Sequence, residues 1–535
     1  MPTMNRWILL CALSFALVPQ SLSRVLAQTP EEGAWADRYY GSRYLELSNW
    51  SYRYIELLVA RGRLGGLSPL VQPYRRADVA AALVRAEREE QLERSEREWF
   101  ELLKREFAPE IDRIVRGRPQ DISFLAEVGA GLDAMSHTHR DPLRPEGPAK
   151  VFPTVMLGLY GEAPAVAGAL RLRWDNHYLN DPQFPNGRVV PRRACDPLVD
   201  DCAYRVEEAY VELQLPYVRL FLGRMYRNWG LPGQFGFLVS PYSYSYDHVG
   251  YRFGTDRIGL TGFFTSFNDF PGDTARHMST HRFDWMIRDN LVLSVGESVI
   301  YGGENRRIDL ALINPVGVYE ISSGRGRRGG DVNALGMAEL WWRPFANLVT
   351  YASFMVDNTN VGDVGVDHGL NQYAWGLGVQ LPAVKPNLGL RADLSVVNSL
   401  AYRSRVDPYE YYAVGEPGWG IGLAHDRVDA VTLSTLADWF LLPNLLLRPQ
   451  LVLLWKGEAD ITDPWPDDAF TGFPKLLVGV VETTVRPALG GQWTFSRGDF
   501  RWDLGVNFIE NEDHVEKGWV AEVVGRARFA IGLRF

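Results

Sequence analysis

The stretch Phe500-Arg501-Trp502-Asp503-Leu504-Gly505-Val506-Asn507-Phe508 alternates strictly between two kinds of residue. Every second position is aromatic or aliphatic, and the positions between carry a charge, an amide or no side chain. Because successive side chains of a strand point to opposite faces, the pattern predicts a β-strand with one apolar and one polar face. In a soluble sandwich the polar face looks out to water, whereas in an outer-membrane barrel it lines the lumen.

The same alternation recurs along the chain after residue 122. It is clear at 124–132, 373–381, 388–396 and 529–535. The composition agrees with it, since Gly (51 residues) and aromatic residues (12%) are abundant while the mean hydropathy is only −0.16. The terminal aromatic residue, Phe535, resembles the assembly signal of outer-membrane barrels and predicts the barrel assembly machinery as a partner.

The lengths of the connections decide between sandwich and barrel. Short turns, such as 288–290 and 442–444, alternate with long segments, such as 179–203 and 303–330. This rhythm is typical of outer-membrane barrels, whose turns are periplasmic and whose loops are extracellular.

The strand count follows from orientation. The first strand leaves the periplasmic side and the last ends there, so the number must be even. This requires two strands between 226 and 276, one being Arg257 to Phe267. We therefore predict a membrane all-β protein: an antiparallel outer-membrane β-barrel of about 18 strands over residues 119–535.

The first 27 residues have the features of a secretory signal peptide. Arg6 precedes an apolar run from Trp7 to Val18, and Val25-Leu26-Ala27 offers a cleavage site. We expect export and cleavage after Ala27. No later segment has the roughly 18 apolar residues of a helical membrane span.

Residues 28–118 have the apolar period of helices. One helix is predicted around Tyr54 and Leu58, and a longer one from about Arg75 to the residue before Pro109. We interpret this region as a small periplasmic α-helical domain ahead of the barrel.

The charge and the cysteines of the chain limit which partners and ligands it is expected to bind. Asp and Glu (65) outnumber Lys and Arg (56), which argues against nucleic acid as a partner.

After the leader only Cys195 and Cys202 remain, and a disulfide is favoured in an oxidising compartment. The alternative, zinc, would need further Cys or His ligands, and none lies nearby at a metal-site spacing. We expect no metal and no cofactor.

Short motifs follow one another between residues 208 and 358. They are Glu208-Ala209-Tyr210-Val211-Glu212-Leu213, Leu222-Gly223-Arg224, Trp229-Gly230-Leu231-Pro232-Gly233, His281-Arg282-Phe283, Gly296-Glu297-Ser298-Val299-Ile300-Tyr301-Gly302, Asn314-Pro315 and Met355-Val356-Asp357-Asn358. In order and spacing they resemble the central signature of the Wzi-type capsule assembly proteins.

The resemblance implies an 18-stranded outer-membrane barrel with a periplasmic helical bundle, acting as a lectin that holds capsular polysaccharide on the cell surface. It implies structural or lumen-lining roles for the motif residues Arg224, Gly230, His281, Arg282, Glu297, Tyr301, Pro315 and Asp357. Polysaccharide, outer-membrane lipid and lipopolysaccharide are the expected partners.

Glu297 shares strand parity with Val295, so ideal alternation places a carboxylate among lipid-facing side chains. A tight hairpin at 288–290 sets His281 opposite Glu297 and Phe283 opposite Val295. We predict that a bulge or register shift turns the His281–Glu297 pair inward, where it braces the lumen.

Two sets of residues are candidates for polysaccharide contact. Arg325, Arg327 and Arg328 form a basic loop that suits uronate or lipopolysaccharide phosphate, although a flexible solvated loop is the alternative. Trp229, Tyr242 and Tyr244 could stack on sugar rings or belong to an interfacial aromatic girdle.

Catalytic motifs are absent from the sequence. It contains no Gly-x-Ser-x-Gly elbow and no His-Glu-x-x-His motif. We therefore expect not an enzyme but an outer-membrane protein that binds capsular or extracellular polysaccharide and helps to attach or assemble it. The alternative is a porin or solute channel, since barrels of 16–18 strands can leave an aqueous lumen.

Overall fold

The computed structural model describes residues 41–89, 92–116, 122–137, 141–144, 147, 149–175, 203–243, 245–267, 274–319, 332–357, 372–404, 412–414, 420–422, 424, 427–466 and 473–535. The predicted signal peptide, Cys195, Cys202, Tyr244, Arg325, Arg327 and Arg328 lie outside these residues.

Eighteen antiparallel strands close into a barrel, as predicted. They are β1 (Ser123–Met135), β2 (Lys150–Ala163), β3 (Val166–Asp175), β4 (Ala203–Gln214), β5 (Val218–Arg224), β6 (Asp247–Gly254), β7 (Ile258–Phe267), β8 (Thr274–Arg288), β9 (Leu291–Glu304), β10 (Asn333–Phe345), β11 (Leu348–Asp357), β12 (Tyr373–Lys385), β13 (Leu388–Val397), β14 (Ala430–Leu442), β15 (Leu445–Lys456), β16 (Glu482–Phe495), β17 (Gly498–Glu510) and β18 (Val520–Arg534). Each strand pairs with the next, and β18 pairs with β1 to close the ring, with Gly532 opposite Gly129.

The two strands required between 226 and 276 are β6 and β7, so this prediction is confirmed. Short connections such as 289–290 gather at one end of the barrel, here called the turn end. Longer connections such as 305–332 gather at the other, here called the loop end.

The two faces of each strand are the predicted ones. In β17, Leu504 and Phe508 are exposed on the outer wall, while Asn507 is fully buried inside. In β18, Phe529, Ile531 and Leu533 are exposed on the outer wall. The apolar, aromatic face therefore surrounds the barrel, and the polar face lines the lumen.

Residues 41–116, here called the plug, contain four helices. These are α1 (Tyr52–Ala60), α2 (Arg76–Glu89), α3 (Arg94–Glu106) and α4 (Ala108–Arg116). The prediction of one long second helix ending before Pro109 is wrong, because that stretch forms two helices, α2 and α3, and a further helix, α4, begins at Ala108. Pro109 lies in the first turn of α4, where its missing N–H costs no helical hydrogen bond. No described helix is long and apolar enough to cross a membrane.

The plug shares a hydrophobic core with the barrel wall. The Trp99 and Tyr54 rings lie 4.5 and 5.3 Å from the ring of Phe440, which points inward from β14. Trp341 and Tyr351 of β10 and β11 belong to the same buried cluster. The helices therefore sit in the turn end of the barrel rather than forming a separate body.

Residues 225–246, here called the lumen segment, connect β5 to β6 and fold into the barrel. Its Trp229 pairs with Val71 of the plug, and the Gly230 N–H donates to the carbonyl of Leu70 at 3.1 Å. A Cβ at position 230 would lie 2.5 Å from the Cα of Gly236. Gly230 therefore allows the segment to double back on itself.

Candidate functional site

A polar pocket lies in the lumen between the plug, the lumen segment and the wall. Its volume is about 340 Å³, within the usual range of small-molecule sites. Most of its lining side chains are amides, hydroxyls or charged groups, among them Arg53, Glu56, Gln72, Asn228, Gln234, Asp393, Thr432, Ser434, Gln492 and Arg501. We call it the lumen pocket.

The plug forms the floor of the lumen pocket. The Arg501 guanidinium donates to the carbonyl of Ser48 at 2.7 Å, and the Gln492 amide donates to the carbonyl of Trp50 at 3.1 Å. Toward the loop end the lining includes Pro241 and Arg427. The pocket is therefore closed toward the turn end by hydrogen-bonded backbone.

Asp393 of β13 organises one wall of the lumen pocket. Its carboxylate accepts from Tyr351 Oη at 2.6 Å and from Gln234 Nε2 at 3.2 Å, and it pairs with Arg391 at 2.9 Å. These bonds fix the Gln234 amide in place beside the pocket. Amide and carboxylate groups supply both donors and acceptors, which is what hydroxyl-rich ligands require.

Phe235 supplies an apolar surface in the lumen pocket. Its side chain is 44% exposed and meets the Tyr242 ring edge-on at 5.4 Å. Phe235 was not predictable from the sequence, because no periodic pattern marks the lumen segment. Asp393, in contrast, could have been found, since it lies on the polar face of an alternating stretch.

The structure does not support sugar stacking at Trp229 or Tyr242, the two residues of the predicted aromatic set that it describes. Trp229 is fully buried and packs on Phe263 at 5.5 Å, and Tyr242 is 5% exposed. Both therefore hold the lumen segment together and present no open face to a ligand. Within the described residues, the exposed ring beside the pocket is that of Phe235.

Arg282 of β8 connects the wall to the plug. It is fully buried, it pairs with Asp284 at 2.7 Å and with Glu339 at 3.1 Å, and it donates to the carbonyl of Leu70 at 3.2 Å. Its guanidinium also lies 5.7 Å from the Trp229 ring centre. The implied lumen role of Arg282 is thus supported by its contacts.

The predicted inward turn of His281 and Glu297 is wrong. The two residues lie opposite each other, as predicted, but no register shift occurs between them; the one irregularity of β8–β9 lies between Met286 and Arg288. Phe283 and Val295 on the same face are 40% and 54% exposed. The pair therefore faces outward.

The outward pair is covered by residues 305–319. Glu297 Oε2 accepts from the backbone N–H of Tyr319 at 2.7 Å and lies 4.0 Å from His281 Nε2. The Tyr319 ring lies 4.4 Å from the His281 ring. Hydrogen bonding and cover lower the cost of placing a carboxylate on this wall.

Tyr301 and Pro315 belong to the same covered patch. Tyr301 Oη accepts from the backbone N–H of Asp309 at 3.2 Å, and the ring is fully buried in a cluster with Leu312 and Tyr319. Pro315 lies within the covering segment itself. These motif residues are therefore structural elements of the outer wall and do not line the lumen.

The remaining motif residues stabilise the loop end. Arg224 makes two hydrogen bonds to Asp247, the residue opposite it on β6. Asp357 is 1% exposed, and its carboxylate accepts from the Tyr402 N–H at 2.7 Å. The first contact joins the ends of two neighbouring strands, and the second joins the end of β11 to the connection that follows β13.

An ion cluster joins the plug to the last strand. Arg76 pairs with Glu106 at 2.9 Å and with Glu110 at 2.6 Å, and Arg534 of β18 pairs with Glu106 at 2.9 Å. Burial is the largest single effect and raises the pKa of both carboxyl groups, but Arg76 together with Arg534 at Glu106, and with Arg43 at Glu110, outweighs it, so both pKa values fall below their usual value. The pKa of Glu46 is lowered in the same way. Burial raises it, but the combined attraction of Arg171 and other cations outweighs burial, and the pKa falls to about 2.

These shifts predict the acid response of the plug. Because the folded pKa values are depressed, the stabilisation is fully present above the unfolded value of about 4.3 and is lost as pH falls through the folded values. In planar bilayers we expect no new openings between pH 7 and 5, and channel bursts only below about pH 4. The double variant Glu106→Gln, Glu110→Gln should flatten this dependence. Openings that already rise between pH 7 and 5 would contradict the assignment.

Comparisons with known proteins give the fold. No protein-family model matches the chain, and no curated protein matches it in sequence. Wzi of Escherichia coli, a carbohydrate-binding outer-membrane β-barrel involved in group 1 capsule assembly, is similar in structure with a TM-score of 0.60 at 12% identity, covering 92% of this chain and 99% of Wzi.

Two further outer-membrane proteins are less similar. A BenF-like porin from Pseudomonas fluorescens Pf-5 has a TM-score of 0.46 at 8% identity, covering 78% of this chain and 99% of its own. OccAB2 of Acinetobacter baumannii has a TM-score of 0.43 at 9% identity, covering 78% and 98%. The protein is therefore a closed 18-stranded β-barrel with a fold similar to that of the Wzi capsule assembly protein.

Proposed function

We propose that the protein binds capsular or extracellular polysaccharide from its loop end and helps to attach or assemble it on the cell surface. In this proposal the turn end and plug face the periplasm, and the loop end faces outward. The observation that carries the proposal is the lumen pocket, a polar recess whose floor is the plug.

The seated plug favours binding over passage. Arg61 of the plug donates to the carbonyls of Pro382 and Pro386 at 2.9 and 3.0 Å, and Arg343 of β10 donates to the carbonyl of Val59 at 3.3 Å. A porin, the alternative function, needs a continuous aqueous path through the lumen. Helices fixed to the wall in this way would oppose such a path.

The lining of the lumen pocket supports a binding protein rather than an enzyme. Among the described residues that line it there is no histidine to serve as a base for Ser395 or Ser434. We therefore propose that the protein acts without catalysis. Lipopolysaccharide around the outer wall and the barrel assembly machinery, addressed through Phe535, complete the proposed partners.

The test is binding of purified exopolysaccharide from the producing strain to the detergent-solubilised protein. Phe235→Ala should weaken binding about tenfold, or about 1.4 kcal/mol, because it removes part of a phenyl contact. The matched control is Phe345→Ala, since Phe345 is 70% exposed at the turn end. The wild-type protein should also be silent in planar bilayers. Steady conductance without polysaccharide binding would contradict this proposal and favour the porin function instead.

A further inference from the structure

A second cavity opens at the turn end, on the other side of Gln72 from the lumen pocket. It lies between the plug and the wall of β4 to β6 and has a volume of about 330 Å³. Six arginines line it. Three are on the wall or near it: Arg219 of β5, Arg252 of β6, and Arg227 at the start of the lumen segment; the others are Arg75, Arg85 and Arg257. We call it the arginine cavity.

Two of these arginines are direct cross-strand partners. Arg219 lies opposite Arg252 in the β5–β6 register. Their neighbours Leu220 and Phe253 are 47% and 36% exposed on the outer wall, so both arginines point inward by strand alternation. Side chains directly opposite have Cβ atoms about 4.5–5.5 Å apart, and like charges there destabilise a sheet.

No carboxylate among the described residues forms an ion pair with Arg219, Arg227 or Arg252 within 4.0 Å. Arg252 donates to Thr261 Oγ1 and to the carbonyl of Thr255, both at 3.0 Å. Arg227 donates to His248 Nε2 at 3.2 Å, and its guanidinium lies 4.8 Å from the Phe221 ring centre. These partners are all uncharged or aromatic groups.

Three of the carboxylates around the cavity are engaged elsewhere. Glu212 accepts from Tyr44 Oη at 2.9 Å, Asp284 pairs with Arg282 at 2.7 Å, and Asp78 pairs with Arg75 at 3.6 Å. Asp256, the fourth carboxylate of the lining, is exposed in the β6–β7 turn. The six arginines that line the cavity still outnumber its four carboxylates, so the cavity carries an excess of positive charge that a bound anion would balance.

We propose that the arginine cavity binds a small sugar acid or sugar phosphate at the turn end. Guanidinium groups form paired hydrogen bonds with carboxylate and phosphate oxygens, and an anion between Arg219 and Arg252 would turn their repulsion into attraction. Tyr217, 48% exposed, and the Ser68 and Gln72 side chains lie beside them for the sugar ring. Gln72 lines both cavities, but Arg219, Arg227 and Arg252 do not line the lumen pocket, so the proposed anion site does not depend on polysaccharide binding there.

The test is calorimetric titration of the full-length protein in detergent with glucuronate, glucose 1-phosphate and neutral glucose. We expect saturable, salt-sensitive binding of at least one anion and none of glucose. Arg219→Gln and Arg252→Gln should each weaken it about tenfold or more. The matched control is Arg288→Gln, because Arg288 is exposed at the same end of the barrel. Tighter binding of glucuronate would identify a sugar acid, and tighter binding of glucose 1-phosphate a sugar phosphate.

A folding control separates binding from stability. Arg219→Gln removes the repulsion from Arg252 but also the attraction to Glu212, Asp78 and Asp256, so its melting temperature without ligand should change little. The wild-type protein should melt at higher temperature with the bound anion, and Arg219→Gln should lose that shift. Phe235→Ala should keep the rise in melting temperature on anion binding. This result would separate the arginine cavity from the proposed polysaccharide site. Absence of anion binding by the wild-type protein, or equal weakening by Arg288→Gln, would overturn the proposal.

Discussion

Replacing Arg282 by methionine should lower the free energy of unfolding by about 3–5 kcal/mol, the usual cost of removing one partner from a buried ion pair. The change leaves the carboxylates of Asp284 and Glu339 in the lumen without their cation, and it removes the hydrogen bond to the carbonyl of Leu70. Equilibrium unfolding in guanidinium chloride, with the protein in lipid vesicles, would measure the loss.

Two further variants separate charge from packing. Arg282→Met combined with Asp284→Asn and Glu339→Gln should recover most of the loss, because no buried charge then lacks a partner. The free energy of unfolding of Arg282→Lys should lie between those of Arg282→Met and the wild type. Lysine keeps the positive charge but lacks the forked guanidinium group that reaches both carboxylates. If Arg282→Met unfolds at the same denaturant concentration as the wild type, Arg282 does not connect wall and plug.

The strand pattern was predictable because lipid and lumen impose opposite demands on neighbouring residues. Leu504 and Asn507 differ in exposure for that reason, and a one-residue slip would exchange their faces. The His281–Glu297 pairing was predictable too, because a tight hairpin sets its own register. Both features depend on residues close together in sequence.

The features that could not be predicted depend on distant residues. Tyr319 covers Glu297 because the chain returns to the outer wall after β9. The alternation of polar and apolar residues in the sequence does not indicate this return. Phe235 reaches the lumen pocket because the lumen segment pairs with Val71 and Gln72, far away in sequence. Helix periodicity likewise marked the buried face of α1 but not the inward Phe440 on which it packs.

The break of the predicted second helix has a local cause that the apolar period hides. Glu93 caps α3 by reciprocal hydrogen bonds with Glu96, so a new helix begins there although apolar residues continue at helical spacing. This capping pair could have been noticed in the sequence, since Glu96 follows Glu93 by three residues. Periodicity alone merges two helices when their apolar faces stay in phase.

Replacing Trp99 by alanine should destabilise the seated plug by about 3–5 kcal/mol, the usual cost of such a truncation in a core. The ring is 1% exposed, lies 4.5 Å from the Phe440 ring, and supports the Arg61 guanidinium 4.9 Å above it. Arg61, which directly follows α1, donates to the carbonyls of Pro382 and Pro386. The substitution therefore removes packing from α3 and also weakens the anchor of α1 to the β12–β13 turn.

The expected readout of Trp99→Ala is conductance through an otherwise intact barrel. Strand pairing does not involve Trp99, so the barrel should keep its resistance to unfolding in cold detergent while planar bilayers show new bursts of current. The matched control is Trp342→Ala, because Trp342 is 44% exposed on the outer wall beside the buried Trp341. Equal, silent traces from both variants would mean that the plug is held by its polar contacts alone. Bursts from Trp99→Ala only would mean that the aromatic contact between plug and wall keeps the lumen closed.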